Sequence, residues 1–314
     1  MTRVAAVTGG TGFLGRAVVA ALVRNGWRVR LLARGNPAHP QLPDQELEVV
    51  FGDLADGNAL RRLVGGVDAV VHAAGLIKAR SRAGFMAVNG DGSGRIAAAV
   101  AAIAPSARLV HISSLAAREP QLSDYAASKR AGEEAVLKSC GNVPWVVVRP
   151  PAIYGPWDIE TLTVFRAAKG PVVPLFHGPE ARVCLIHVDD AAEAIAALCA
   201  DGPSRRVFEV SDERREGYSW RSILDEAARA VGGAPRIVRV PPSLVRLGAV
   251  VVGTVGGLAG RTPILTSGKA REMLHPDWSS APDRQPPPEL WTPRIPLTHG
   301  FAGTVRWYRE ARWL

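Results

Sequence analysis

Residues 4–15 read VAAVTGGTGFLG. Val4–Thr8 is a short run of apolar and small residues, the pattern of a buried strand. Gly9, Gly12 and Gly15 follow with the spacing GxxGxxG. Apolar residues then recur at helical spacing through Val18, Val19, Leu22 and Val23, and Gly26 stands where a helix would stop. Strand, glycine turn and helix form the context that a dinucleotide fingerprint requires. The tight turn and the approach of backbone to a pyrophosphate both need residues without a Cβ, and the helix N-terminus aims N–H groups at the anion. A nucleotide site is therefore expected at Gly9, Thr11, Gly12, Phe13, Leu14 and Gly15. The bland alternative is a generic turn between a strand and a helix.

Outward from this turn the chain alternates. Trp27–Ala33, Glu48–Phe51, Asp68–His72, Arg108–Ser113 and Trp145–Arg149 read as strands. Gly15–Asn25, Asn58–Val64, Gly92–Ala104 and Ser128–Cys140 read as helices. Further on, Val183–Val188 and Arg206–Val210 read as strands around a helix at Ala191–Ala200, and Ser219–Val231 as an amphipathic helix. Such alternation predicts an α/β fold, a doubly wound parallel Rossmann sheet with a smaller C-terminal substrate-binding region. The expected division puts residues 1–152 and 183–212 in the dinucleotide-binding domain. Residues 153–182 and 213–314 form the substrate-binding region.

Composition narrows the partners. The 314 residues are 47% hydrophobic and 21% charged, as in ordinary globular chains, which excludes disorder and a multi-span membrane protein. The net charge of +9 comes mostly from arginine, and no basic block with interleaved aromatics occurs. No nucleic-acid partner is expected. Three cysteines (Cys140, Cys184, Cys199) without a CxxC pair exclude a disulfide framework or a cysteine zinc site. Reduced, buried cysteines fit a cytoplasmic protein. The run Val4–Thr8 is too short for a signal peptide.

The second strand ends Leu31-Leu32-Ala33-Arg34. An NAD site commonly carries an acidic residue about 20 positions beyond the glycines, on the ribose hydroxyls. No acidic residue occurs from Met1 to Pro43. An arginine there can pair with a 2′-phosphate, so NADP(H) is expected over NAD(H). The alternative for Arg34 is stacking on adenine.

More motifs follow in order: Asp53-Leu54, His72-Ala73-Ala74-Gly75, Val88-Asn89, Ser113-Ser114, Tyr125 with Lys129, RPPAIYGP at Arg149–Pro156 and HVDDAAEAI at His187–Ile195. With the glycine turn, they make the chain resemble the extended short-chain dehydrogenase/reductase superfamily. That superfamily includes NAD-dependent epimerase/dehydratases and 3β-hydroxysteroid-dehydrogenase-like reductases. The resemblance covers about residues 4–200 and returns at the C-terminus. It implies cofactor contacts from Asp53, Leu54, Ala73, Ala74, Gly75, Asn89, Tyr125, Lys129, Pro151 and Ile153. It also implies catalysis by Ser114, Tyr125 and Lys129, with Lys129 on the nicotinamide ribose.

The chemistry fits those residue types. Tyr125 and Lys129 stand four apart, on one face of a helix. A free phenol titrates near pH 10 (roughly) and needs help to exchange protons near neutrality. A neighbouring ammonium is expected to lower that pKa. A serine hydroxyl can steady charge on the substrate oxygen while the phenol donates its proton. Ser114 is the expected serine, and Ser113 is its rival. Asn89 could equally hold only the backbone near the cofactor. His72 and His111 read as structural. His187, Asp189 and Asp190 read as helix-capping, and no metal is expected.

The substrate region is rich in apolar and tryptophan residues, which suits a small hydrophobic or lipid ligand. Leu247–Gly260 is uncharged and bracketed by Arg246 and Arg261. At about 1.5 Å per residue it is too short for a hydrocarbon core of about 30 Å. The wider stretch Leu244–Gly260 could dip into a membrane surface, placing the protein peripherally on the inner membrane, or simply cover the core. A homodimer is one assembly open to such a chain. Three functions are carried forward. The first interconverts a ketone and a secondary alcohol on a bulky hydrophobic substrate, a 3-oxo-sphingolipid or ceramide-type ketone being the specific candidate. The second is a nucleotide-sugar epimerase or dehydratase using NAD transiently. The third is a non-catalytic nucleotide-binding assembly subunit.

Overall fold

The computed structural model describes residues 2–43, 47–176, 178–249 and 266–314. In chain order the strands are β1 (Val4–Thr8), β2 (Arg28–Ala33), β3 (Leu47–Phe51), β4 (Ala69–His72), β5 (Arg108–Ile112) and β6 (Trp145–Val148). Then come β7 (Ala152–Tyr154), β8 (Val172–Leu175), β9 (Arg182–Val183), β10 (Leu185–His187), β11 (Arg206–Phe208), β12 (Arg236–Arg239) and β13 (Asp277–Trp278). Seven form one sheet in the order β11-β6-β5-β4-β1-β2-β3, and every pairing is parallel. The chain crosses from one side of β1 to the other between β3 and β4. Ligand crevices open outside the carboxyl ends of strands at such a switch. The glycine turn after β1 and the Ala73-Ala74-Gly75 segment after β4 therefore flank it.

Alternation along each strand explains why the sheet is buried on both faces. Ala5, Val7, Val71 and Val110 join one core cluster, and Ala6, Val70 and Leu109 join the other. The helices that cover them include α1 (Phe13–Arg24), α2 (Gly57–Val64), α3 (Arg82–Phe85), α4 (Gly92–Ile103) and α5 (Asp124–Ser139). Later come α6 (Leu162–Lys169), α7 (Val188–Ala200) and α8 (Trp220–Val231). Helices α1 and α7 pack on the first face, and α2, α4 and α5 on the second.

The remaining helices are α9, whose described part is 242–249, α10 (Ser267–Leu274) and α11 (Leu297–Glu310). A third cluster joins α6, α8 and α11 around Tyr154, Phe165, Phe301 and Tyr308. Val245 and Ala249 of α9 pack with Ala270 of α10, while Leu244 and Leu247 are 56% and 60% exposed. The rest of Leu244–Gly260, from residue 250 onward, lies outside the described residues. Among the described residues no helix is long and apolar enough to cross a membrane.

Several boundaries depart from the sequence reading. The helix expected at Ser128–Cys140 starts at Asp124, because Ser123 caps it by accepting from the Ala126 N–H at 2.9 Å. The expected strand Val183–Val188 divides into β9 and β10, which pair with β13 and β7 outside the main sheet. Val188 belongs instead to α7, capped by the His187 ring. Before α4, α3 and a π-helical turn at Met86–Asp91 run on continuously. That turn carries Asn89, and an inserted wide turn of this kind is often found at functional sites.

Candidate active site

Sterics dictate the glycine turn. Gly9 has φ +73°, and a Cβ there would overlap the Ala74 amide. A Cβ on Gly15 would overlap the Gly9 carbonyl. Gly12 caps α1 with no side-chain bond, and no acidic residue lies in the first turn. No side chain caps the leading N–H groups of α1 and no carboxylate stands among them, the arrangement an anion requires. Arg16, overlooked in the sequence, donates to the Thr11 carbonyl at 2.7 Å and to Gln41 at 2.8 Å.

A buried chain of hydrogen bonds ties the turn to β4 and the π-helical turn. The Thr8 hydroxyl and His72 Nδ1 are 2.7 Å apart, and His72 Nε2 is 3.0 Å from Ser93 Oγ. Ser93 spends its one proton on the Asn89 carbonyl at 2.7 Å. His72 must then donate through Nε2 and accept from Thr8 through Nδ1. Burial, aided by the Lys129 charge, pushes the His72 pKa down to about 3, so the ring is neutral. The Asn89 amide clamps Leu76, donating to its carbonyl at 2.9 Å and accepting from its N–H at 2.7 Å. It also donates to Ser128 Oγ at 2.8 Å. A Cβ on Gly75 would lie 3.2 Å from Asn89 Oδ1 and 3.5 Å from Lys129 Nζ. Gly75, Asn89 and Lys129 are thus brought together.

The two serines after β5 diverge. Ser113 is buried and donates to Glu133 at 2.5 Å. Ser114 accepts from the Ala116 N–H at 3.2 Å, and its hydroxyl acts on the Tyr125 phenol by drawing its pKa downward. Of the two serines, Ser113 is taken up by Glu133, and Ser114 is the one that acts on Tyr125. Lys129 donates to the Ile112 carbonyl at 2.7 Å. Burial pulls its pKa down to about 8, against the opposing pull of Glu133. The expected lowering of the Tyr125 pKa does not hold here. Burial pushes the phenol up to about 12, with the Ser114 hydroxyl opposing and the Glu272 carboxylate adding to it. Desolvation outweighs the pull of the hydroxyl because a phenolate loses more water than a phenol does.

Behind this face, Arg149 grips Glu133 through two bonds of 2.8 and 2.7 Å. Glu209 lies 3.6 Å from both Arg149 and Arg284 and 3.5 Å from Arg118. The sequence reading missed this group, although Glu133 stands four residues beyond Lys129 and could have been found by spacing. Arg34 is exposed and has no hydrogen bond or ion pair with the described residues. Asp53 is exposed too, and its carboxylate accepts from the Ala55 and Asp56 N–H groups, shaping a turn. Leu54 packs over Gly92. Pro151 leads into β7, and Ile153 leans on the first core cluster. Asp190 accepts from the Arg294 and Ile295 N–H groups, which anchors the C-terminal segment.

The model of the NAD-dependent epimerase/dehydratase family matches residues 5–211. The chain belongs to this family. It is 49% identical over 313 residues to the ceramide reductase of Caulobacter vibrioides, covering 99% of this chain and 96% of that protein. It is 30% identical over 308 residues to the 2-alkyl-3-oxoalkanoate reductase of Stenotrophomonas maltophilia, covering 87% and 90%. The crystal structure of gox2253 superposes with a TM-score of 0.78 over 99% of both chains at 23% identity, a likeness of fold. As an epimerase/dehydratase-family member of the extended short-chain dehydrogenase/reductase type, the chain is an NAD(P)-dependent oxidoreductase. Its residues fit a dinucleotide: the glycine turn packs so tightly on Ala74 and on its own backbone that Gly9 and Gly15 admit no Cβ, and it leads into an uncapped helix N-terminus.

Proposed function

We propose that the chain is an NADP(H)-dependent ketoreductase acting on a ceramide-type 3-oxo lipid. The observation that carries the chemistry is Tyr125 with Lys129 one helical turn on in α5, Lys129 standing beside Gly75 and Asn89, and the Ser114 hydroxyl acting on the phenol. The substrate class is supported by the near full-length likeness to a ceramide reductase. The bound cofactor would supply a hydride for the ketone carbon. Tyr125 gives its phenolic proton to the ketone oxygen, and Ser114 donates to the same oxygen as charge builds on it. The product is a secondary alcohol, with the cofactor left oxidised. A phenol held near a pKa of about 12 is protonated at neutral pH, which suits the direction of reduction. Lys129 holds the nicotinamide ribose beside Gly75 and Asn89. Around it, Gly9, Thr11, Gly12, Phe13, Leu14 and Gly15 take the pyrophosphate. Asp53, Leu54, Ala73 and Ala74 line the adenosine side, Arg34 takes a 2′-phosphate, and Pro151 and Ile153 flank the nicotinamide.

In this reading residues 1–152 and 183–212 hold the cofactor, and 153–182 with 213–314 cover the lipid. The exposed Leu244 and Leu247 lead the Leu244–Gly260 stretch that would rest on a membrane surface, in a protein working as a homodimer. The test uses purified full-length protein, NADPH and a short-chain 3-oxo-ceramide in detergent. Tyr125→Phe should bind NADPH normally by fluorescence yet lose about 100- to 10,000-fold in turnover. Near-normal turnover by that variant would end the proposal.

A further inference from the structure

Tyr125 lies in the first turn of α5, where backbone N–H groups lack helical partners. Ser123 caps that turn by accepting from the Ala126 N–H at 2.9 Å. The same hydroxyl donates its proton to a carboxylate oxygen of Glu272 on α10. One proton given and a lone pair offered let both bonds coexist. Glu272 is buried, and its own carbonyl accepts from Trp278 Nε1 at 3.0 Å. Two more contacts fasten α10 to the same place. Arg271 Nε donates to the Leu122 carbonyl at 2.7 Å, and Gly268 lies so close to Ser123 that a Cβ would come within 2.9 Å of the Ser123 Cβ. A residue about 150 positions away in the chain thus stands behind the hydroxyl that shapes the Tyr125 turn.

We infer that Glu272 is a positioning residue for the reaction: through Ser123 it fixes the N-terminal turn of α5, and with it the Tyr125 hydroxyl. The inference rests on the reading of Tyr125 as proton donor. The charge of Glu272 acts in the same sense. Behind burial, it is the influence that adds to the upward push on the phenol, while the Ser114 hydroxyl opposes. A negative charge beside the phenol disfavours the phenolate, so the proton is kept for donation.

The other groups around Tyr125 are few. On α5 itself are Lys129, turned to the Ile112 carbonyl, and Asp124, paired with Arg82 of α3 at 3.2 Å. From α3, Phe85 contributes an aromatic ring. From α10, Lys269 lies 3.4 Å from Glu272 and is 58% exposed, so it offsets little of the buried charge. His275, just past α10, packs its ring against Trp278 in a tilted arrangement.

The test compares Glu272→Gln, Glu272→Ala and Tyr125→Phe in the full-length protein. The first readout is tyrosinate absorbance against pH, with Tyr125→Phe as the blank that isolates Tyr125. Glu272→Gln keeps the shape and the acceptor, so it should leave NADPH affinity unchanged and move the Tyr125 titration to lower pH. The second readout is steady-state reduction of the short-chain 3-oxo-ceramide by NADPH. Glu272→Ala should lower kcat about 10- to 100-fold with little change in KM, as a misplaced group does. An unmoved titration in Glu272→Gln, or an unchanged kcat in Glu272→Ala, overturns the inference. The underlying reading fails separately, when Tyr125→Phe itself keeps its turnover.

Discussion

Two buried polar regions are built differently. The chain Thr8–His72–Ser93–Asn89–Ser128 is neutral, and each hydroxyl and ring nitrogen in it has a partner. The group Ser113–Glu133–Arg149–Glu209 is ionic and equally buried. The neutral chain joins the ends of β1 and β4 to the Asn89 turn and to the Leu76 backbone that Asn89 clamps. The ionic group joins the ends of β6 and β11 to α5 and, through Arg118 and Arg284, to the segment 277–284. Neutral hydrogen bonds hold geometry at small cost. Buried charges bind distant segments strongly, but only while all partners are present. The ionic group also settles the fate of the two serines, since Glu133 takes the Ser113 proton and leaves Ser114 for Tyr125.

Removing one partner from each region should expose the contrast. Glu133→Ala takes both close hydrogen bonds from buried Arg149, leaving only Glu209 at 3.6 Å, and should cost about 3–5 kcal/mol in denaturant unfolding. A loss below about 1 kcal/mol, within the range of an exposed pair, would mean that water already screens the group. Arg34 is the opposite kind of charge, exposed and without a described partner. Arg34→Ala should leave the unfolding midpoint in place and weaken NADPH by about 1.5–3 kcal/mol, while NADH changes little. Equal losses for both cofactors in a fluorescence titration would remove the 2′-phosphate assignment. In the neutral chain, Ser93→Ala leaves His72 Nε2–H unsatisfied and should cost about 1–2 kcal/mol. If that variant proves as damaging as Glu133→Ala, the distinction between the two regions collapses.

The comparison also marks where sequence reading succeeds. Gly9 and Gly15 were legible because their spacing between a strand and a helix is local, although the clash that forbids a Cβ is local only at Gly15 and at Gly9 comes from Ala74 across the sheet. The Tyr125/Lys129 pair was legible because helical spacing is local. The start of α5 was missed because its cap, Ser123, resembles any other serine in a loop. The split of Val183–Val188 was missed because apolar runs carry no mark of which sheet they join. The titration of Tyr125 was misjudged for a similar reason: spacing brought Lys129 near, but only burial decides the size of the desolvation that opposes it.

By itself, then, the sequence determined the parallel sheet, the glycine cradle and the order of the site residues along the chain. Each follows from periodicity or from a missing Cβ, properties that a few consecutive residues already possess. Tertiary structure alone decided that Ser114 rather than Ser113 acts on Tyr125, that Asn89 sits on a π-helical turn, and that Glu272 closes on Ser123. These depend on contacts between segments far apart in sequence. Hydrogen-bond direction and desolvation exist only once such segments have packed, so no local pattern in the chain can encode them separately.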